Sequence, residues 1–123
     1  MTQEDKELLL KDLCARLPYG VKFACNKNIY IAKGIDLIVT DEGDWGYAVT
    51  AKDIVPIEID FIKPYLFPLS SMTEEQNKEW LYTLSSDYHI TYDTVDWCNK
   101  NHFDYRGLID KGLAIDATGL NIY

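Results

Sequence analysis

The segment from Lys63 to Trp80 constrains the fold most. Before it, residues alternate in short β-like runs; after it, they follow a helical period. Pro64 and Pro68 interrupt backbone pairing there. Ser71-Met-Thr-Glu and Thr73-Glu-Glu-Gln then each fit a capping box, so a helix is predicted to begin between Met72 and Glu74. A chain whose β-like runs give way to a helical period at a proline-marked junction is an α+β chain with its strands and its later helices segregated.

Upstream, Thr2 to Leu17 read as an amphipathic helix. Thr2 is placed to cap it, with Glu4 and Asp5 in its first turn. Leu9, Leu10, Leu13, Cys14 and Leu17 form the apolar stripe, and Pro18 and Gly20 end the helix. Val21–Cys25, Ile29–Ile31, Ile35–Val39, Trp45–Thr50 and Asp53–Phe61 read as strands, with a turn at Asn26-Lys27-Asn28 and a solvated loop at Thr40–Asp44. Pro56 marks the last of these as an edge or bulged strand. Downstream, Trp80, Leu81 and Leu84 are the apolar positions of the second helix, which ends at Ser85–Asp87. A third helix is predicted from Asp93 or Thr94 to Lys100, with Val95, Trp97 and Cys98 inward. Asn101–Asp110 reads as a turn and a short helix. The tail, with Leu113, Ile115, Leu120 and Ile122, is apolar enough to dock. The expectation is a single α+β domain over residues 1–123: a helix at 1–17, a β part at 18–68 and a mostly helical part at 69–123. The β part is a small, strongly bent antiparallel sheet or an SH3-like barrel.

With 123 residues, 47% of them hydrophobic, the chain can bury one core. Nine tyrosines suit a half-buried sheet or an aromatic contact surface. Twenty acids against twelve bases give a net charge of −8, with no Lys/Arg cluster of the kind that binds phosphate backbones, so direct nucleic-acid binding is not expected. Cys14, Cys25 and Cys98 are odd in number and form no C-x-x-C pair, which fits reduced thiols of a cytosolic protein. Neither a leader nor a membrane span is visible.

Candidate chemistry is sparse. Cys98 and His102 stand four apart, a spacing that could pair two metal ligands, but no second pair completes a zinc site. No metal or cofactor is expected. The densest polar cluster is His102-Phe-Asp104-Tyr105-Arg106. It is either a recognition patch or a turn braced by Asp104 and Arg106 with Phe103 and Tyr105 packed inward. Phosphate-binding glycine loops and the G-x-S-x-G elbow are missing.

Leu13–Lys22, Lys63–Gln76, Asn101–Ile109 and the ending from Gly112 to Tyr123 resemble an uncharacterised family of small proteins from Bacteroides-type gut bacteria and their phages or prophage-like elements. The resemblance implies a mobile-element context and the host cytoplasm. It carries no activity, cofactor or catalytic residue.

The expected function is therefore a non-enzymatic protein-binding module made by a phage or mobile element, its partner a host or phage protein, a basic one being favoured by the acidic charge, with no membrane partner. The expected contact residues are Lys63, Tyr65, Phe67, His102, Asp104, Tyr105 and Arg106. One alternative is an acidic DNA mimic or nucleic-acid-pathway protein, drawing on Asp41–Asp44, Asp53, Glu58 and Asp60. Another is a small enzyme using His102 with Asp104 or a cysteine.

Overall fold

The computed structural model describes all 123 residues as an α+β fold of three helices and eight short strands. Helix α1 spans Gln3–Arg16. Thr2 Oγ1 accepts the Asp5 amide at 3.0 Å, and the Asp5 carboxylate accepts the Thr2 amide in return. The helix runs into a 3-10 turn, Leu17–Tyr19, and stops at Gly20 in the left-handed region.

The buried face of α1 differs from the apolar stripe read from the sequence. Leu9 and Leu13 are fully buried, but so are Asp12 and Arg16. Leu10 and Leu17 are only half-buried, and Cys14 is exposed. Positions 9, 12, 13 and 16 share one helix face, so an ion pair occupies half of it.

Strands β1 (Lys22–Cys25) and β2 (Asn28–Ile31) form an antiparallel hairpin closed by Asn26 and Lys27, both at positive φ. Strands β3 (Gly34–Val39), β4 (Trp45–Thr50) and β5 (Ile57–Glu58) form a separate antiparallel sheet in the order β3-β4-β5. The expected strand Asp53–Phe61 is mostly absent. Asp53 takes a left-handed conformation, Pro56 lacks an amide, and Ile59–Phe61 winds into a 3-10 turn.

Strand β6 (Lys63–Pro68) is the organising element. It pairs antiparallel with β1 through Lys63 and Pro64, and parallel with β8 (Ile115–Asp116) through Tyr65 and Leu66. It also pairs parallel with β7 (Phe103–Asp104) through Phe67 and Pro68. The two prolines do not interrupt this strand, contrary to the expectation. They stand at its second and last positions, where few ladder bonds are forfeited. Nor is the β part wholly antiparallel, and the C-terminal third returns two strands to it. No strand ladder joins the two sheets, so the barrel alternative lacks a closing pair.

Helix α2 (Glu74–Thr83) starts at Thr73, whose hydroxyl accepts the Gln76 amide; the alternative box at Ser71 is not the cap. It has no fully buried residue, and Leu81, expected inward, is exposed. Helix α3 (Tyr92–Lys100) begins slightly earlier than predicted, because Thr91 and Thr94 form the box. The Thr91 and Thr94 hydroxyls also donate to Thr83 O, which pins α3 to α2. Tyr19 OH donates to the Asp96 carboxylate and joins α3 to the end of α1. The short helix expected within Asn101–Asp110 is replaced by β7 and turns. The core gathers Leu9 and Leu13 with Val21, Phe23, Val49, Ile62, Leu66 and Leu108. Of the tail residues expected to dock, Leu113 is buried, with Ala114 and Ala117, while Ile115 and Ile122 are half-buried and Leu120 is exposed.

Candidate functional site

One cleft of about 480 Å³ opens between α1, the β3–β4 hairpin and the 3-10 turn Ile59–Phe61. Gln3, Lys6, Glu7 and Leu10 supply one wall, since a three- or four-residue spacing places side chains on one helix face. The loop Thr40–Asp44 and residues Trp45–Tyr47 supply the second, and Glu58–Phe61 the third.

Six lining residues are acidic: Glu7, Asp41, Glu42, Asp44, Glu58 and Asp60. Lys6 is the single lining cation, and it pairs with Asp60 at 3.1 Å. The other five carboxylates have no ion-pair partner. Trp45 and Phe61 are 73% and 67% exposed beside them, so large aromatic faces stand in an uncompensated negative field. The acids do not converge: no trio of His, Cys, Asp or Glu is arranged to hold a metal ion. Charge spread along a cleft fits an extended cationic chain better than a point ion. Residues 41–44, 58 and 60 were an acidic excess visible in the sequence. Glu7, Trp45 and Phe61 were not connected to them, because only the tertiary fold brings α1 against the hairpin.

The residues singled out from the sequence lie elsewhere, and the structure brings both of their segments together. Lys63 is exposed at the start of β6. Tyr65 and Phe67 are half-buried within it. The Phe67 amide donates to His102 O at 2.8 Å, and the Phe67 ring lies 5.9 Å from both Phe103 and Tyr123. Asp104 is buried, and its two carboxylate oxygens accept the Leu108 and Ile109 amides at 2.9 Å each. Arg106 Nε donates to Asp12 Oδ1 at 3.2 Å, and its Nη2 donates to Tyr105 OH at 2.9 Å. The guanidinium groups of Arg106 and Arg16 lie 4.9 Å and 5.4 Å from the Tyr105 ring centroid. Most of the polar capacity of this cluster is thus spent inside the protein. Asp12, Arg16 and Tyr123 complete it, and of these only Asp12 and Arg16 are linked locally, by their i, i+4 spacing.

His102 is half-buried and stacked on Tyr123, with ring centroids 3.7 Å apart. Burial, then the positive charges of Arg16 and Lys22, push its pKa down to about 4. Its Nδ1 is buried without a partner. Burial similarly pushes the Cys98 thiol up, away from thiolate character. The His102 imidazole is stacked on Tyr123, the Asp104 carboxylate is committed to two amides, and no hydrogen bond joins the two as an acid–base pair would require. His102 lines neither the cleft nor the shallower depression of about 230 Å³ near Cys25 and Ile115.

No helix is long and apolar enough to cross a membrane. Comparison with protein-family models, curated proteins and solved structures finds no match.

Proposed function

We propose that the chain is a non-enzymatic protein-binding module whose cleft receives a Lys- or Arg-containing segment of a partner protein. The observation that carries this reading is the combination of five unpaired carboxylates with exposed Trp45 and Phe61 in one concave site. Carboxylates draw and orient a cationic segment, and aromatic faces hold its charged ends by cation–π contact. Within the resemblance described above, the partner is a host or phage protein in the host cytoplasm. DNA mimicry is less well supported, because carboxylates are also carried on α2 and α3, at Glu74, Glu75, Glu79, Asp93 and Asp96.

The test is a titration of isotopically labelled protein with a short oligo-arginine peptide, followed by amide and indole resonances. Shifts should cluster at Asp44, Trp45, Tyr47 and Phe61, and affinity should fall steeply as salt is added. Glu7→Gln, Asp44→Asn and Glu58→Gln together should weaken binding by about tenfold or more. Shifts confined to α2 and α3, or an affinity unchanged in the triple variant, would overturn the assignment.

A further inference from the structure

The acidic cleft reaches the edge of a strand. Asp44, Trp45, Gly46 and Tyr47 all line it, although residues of a strand alternate between its two faces. A cleft touched by four consecutive residues lies along the side of β4, not over one face of it. That side is the one β5 leaves short. β5 pairs with β4 through Ile57 and Glu58, at Val49 and Ala48, and the chain then turns away in the 3-10 turn Ile59–Phe61. The ladder on the other side of β4 fixes which backbone groups are left over. The Thr40 amide donates to Asp44 O at 2.7 Å, so the hydrogen-bonded pairs with β3 fall on even residues: Gly46 with Ile38, and Ala48 with Asp36. Trp45 is odd. It turns its amide and carbonyl toward the cleft, where no strand lies opposite it.

We propose, resting on the cation-binding reading of this cleft, that the partner segment lies in it extended, as an added strand in line with β5. Its main chain bonds to Trp45, and its Lys or Arg side chains alternate between two acidic flanks. The backbone selects the conformation. A helix spends its own amides and carbonyls internally, whereas an extended segment offers both to an open edge. The carboxylates select the composition. Asp44 shares a face of β4 with Gly46 and Ala48, and Glu58, as the partner of Ala48, stands on that face too. Trp45 is on the opposite face, and Glu7 lines the cleft from α1. Asp60 is already paired with Lys6, so Asp44, Glu58 and Glu7 are open to the newcomer. A residue set opposite Trp45 turns its side chain toward the Trp45 face. The next turns its side chain toward Asp44 and Glu58. Both faces of a cationic strand thus find an acid, and the ring of Trp45 can hold a guanidinium by cation–π contact. A second copy of this chain, at −8, is repelled from the same field.

Penta-arginine, compared with the same peptide N-methylated at every backbone amide, tests this. The two carry equal charge, and only the unmethylated peptide can donate a main-chain bond to Trp45 O. Each is titrated into the isotopically labelled full chain. Penta-arginine should bind about tenfold or more tightly than its methylated counterpart. In its complex the Trp45 amide should exchange about tenfold or more slowly than in the free chain, because it then donates to the added strand. Equal affinities, with shifts still confined to the cleft, overturn strand addition and leave cation binding standing. A Trp45 amide that stays unprotected in the penta-arginine complex also overturns it. Binding of neither peptide removes both readings together.

Discussion

Arg16 Nε donates to Asp12 Oδ2 at 2.8 Å with both side chains wholly excluded from solvent. Asp12 also takes Arg106, and Arg16 reaches across to Phe103 O. Removing one member of such a pair strands a charge in the core. Asp12→Ala should destabilise the fold by about 3–5 kcal/mol, measured by urea unfolding. Replacing both residues by apolar ones of similar size, Asp12→Leu with Arg16→Met, should cost much less. A small loss in the single variant would mean that water reaches Arg16.

The stability of the fold should fall as pH is lowered from neutral toward 4. His102 ionises near 6.5 when exposed and near 4 in the folded chain. Above 6.5 it is neutral in both states and contributes nothing. As pH drops through 6.5 the unfolded chain takes up the proton and the folded chain does not, so stability is lost until about pH 4, where the folded form titrates as well. The loss is on the order of 2 kcal/mol, below the full shift because the ring keeps some solvent. His102 sits at positive φ, which asparagine tolerates. His102→Asn should therefore flatten this part of the pH profile in thermal melts; an unchanged slope would assign it to other groups.

Tyr123 OH accepts the Lys22 amide and donates to Tyr65 O, each at 2.8 Å, while Lys22 Nζ donates to Ile122 O. The hydroxyl ties the tail to two strands at once. Tyr123→Phe keeps the ring on His102 and should cost about 1 kcal/mol. Amide exchange should quicken first at Lys22; an unchanged rate there would mean that another group holds the tail.

Lys27 holds φ +69° in the two-residue β1–β2 turn, where a side chain is strained and glycine is not. Lys27→Gly should raise the melting temperature, with a gain of up to about 1 kcal/mol. No change would place the strain elsewhere in the hairpin.

The parts of this fold that were legible are those governed by neighbours in sequence. Thr2 and Thr73 announce their helices because a cap needs only a hydroxyl and a partner three residues on. The hairpin strands β3 and β4 show plainly because their apolar residues alternate beside a polar loop. Asp12 and Arg16 stood outside the apolar stripe read from the sequence, since nothing local says that Phe103 O will meet Arg16 in the core. Pro64 and Pro68 read as breaks, when the strand that holds them finds two-residue partners 36 and 50 residues later, at Phe103 for Phe67 and at Ile115 for Tyr65. The acidic half of the cleft was written in Asp41–Asp44, Glu58 and Asp60. The other half waited on where α1 lies.

The pairing of β6 with β7 and β8 also sets a schedule on the ribosome. When Lys63–Pro68 emerges, only β1 is there to meet it. Its remaining partners, Phe103–Asp104 and Ile115–Asp116, are still to be made. Until then Leu66 and Phe67 have no native cover from that side, and a chain interrupted before Ile115 has no route to the finished sheet. The nascent protein can complete this sheet only once Asp116 is made, and prematurely ended copies are left as substrates for chaperones and proteases.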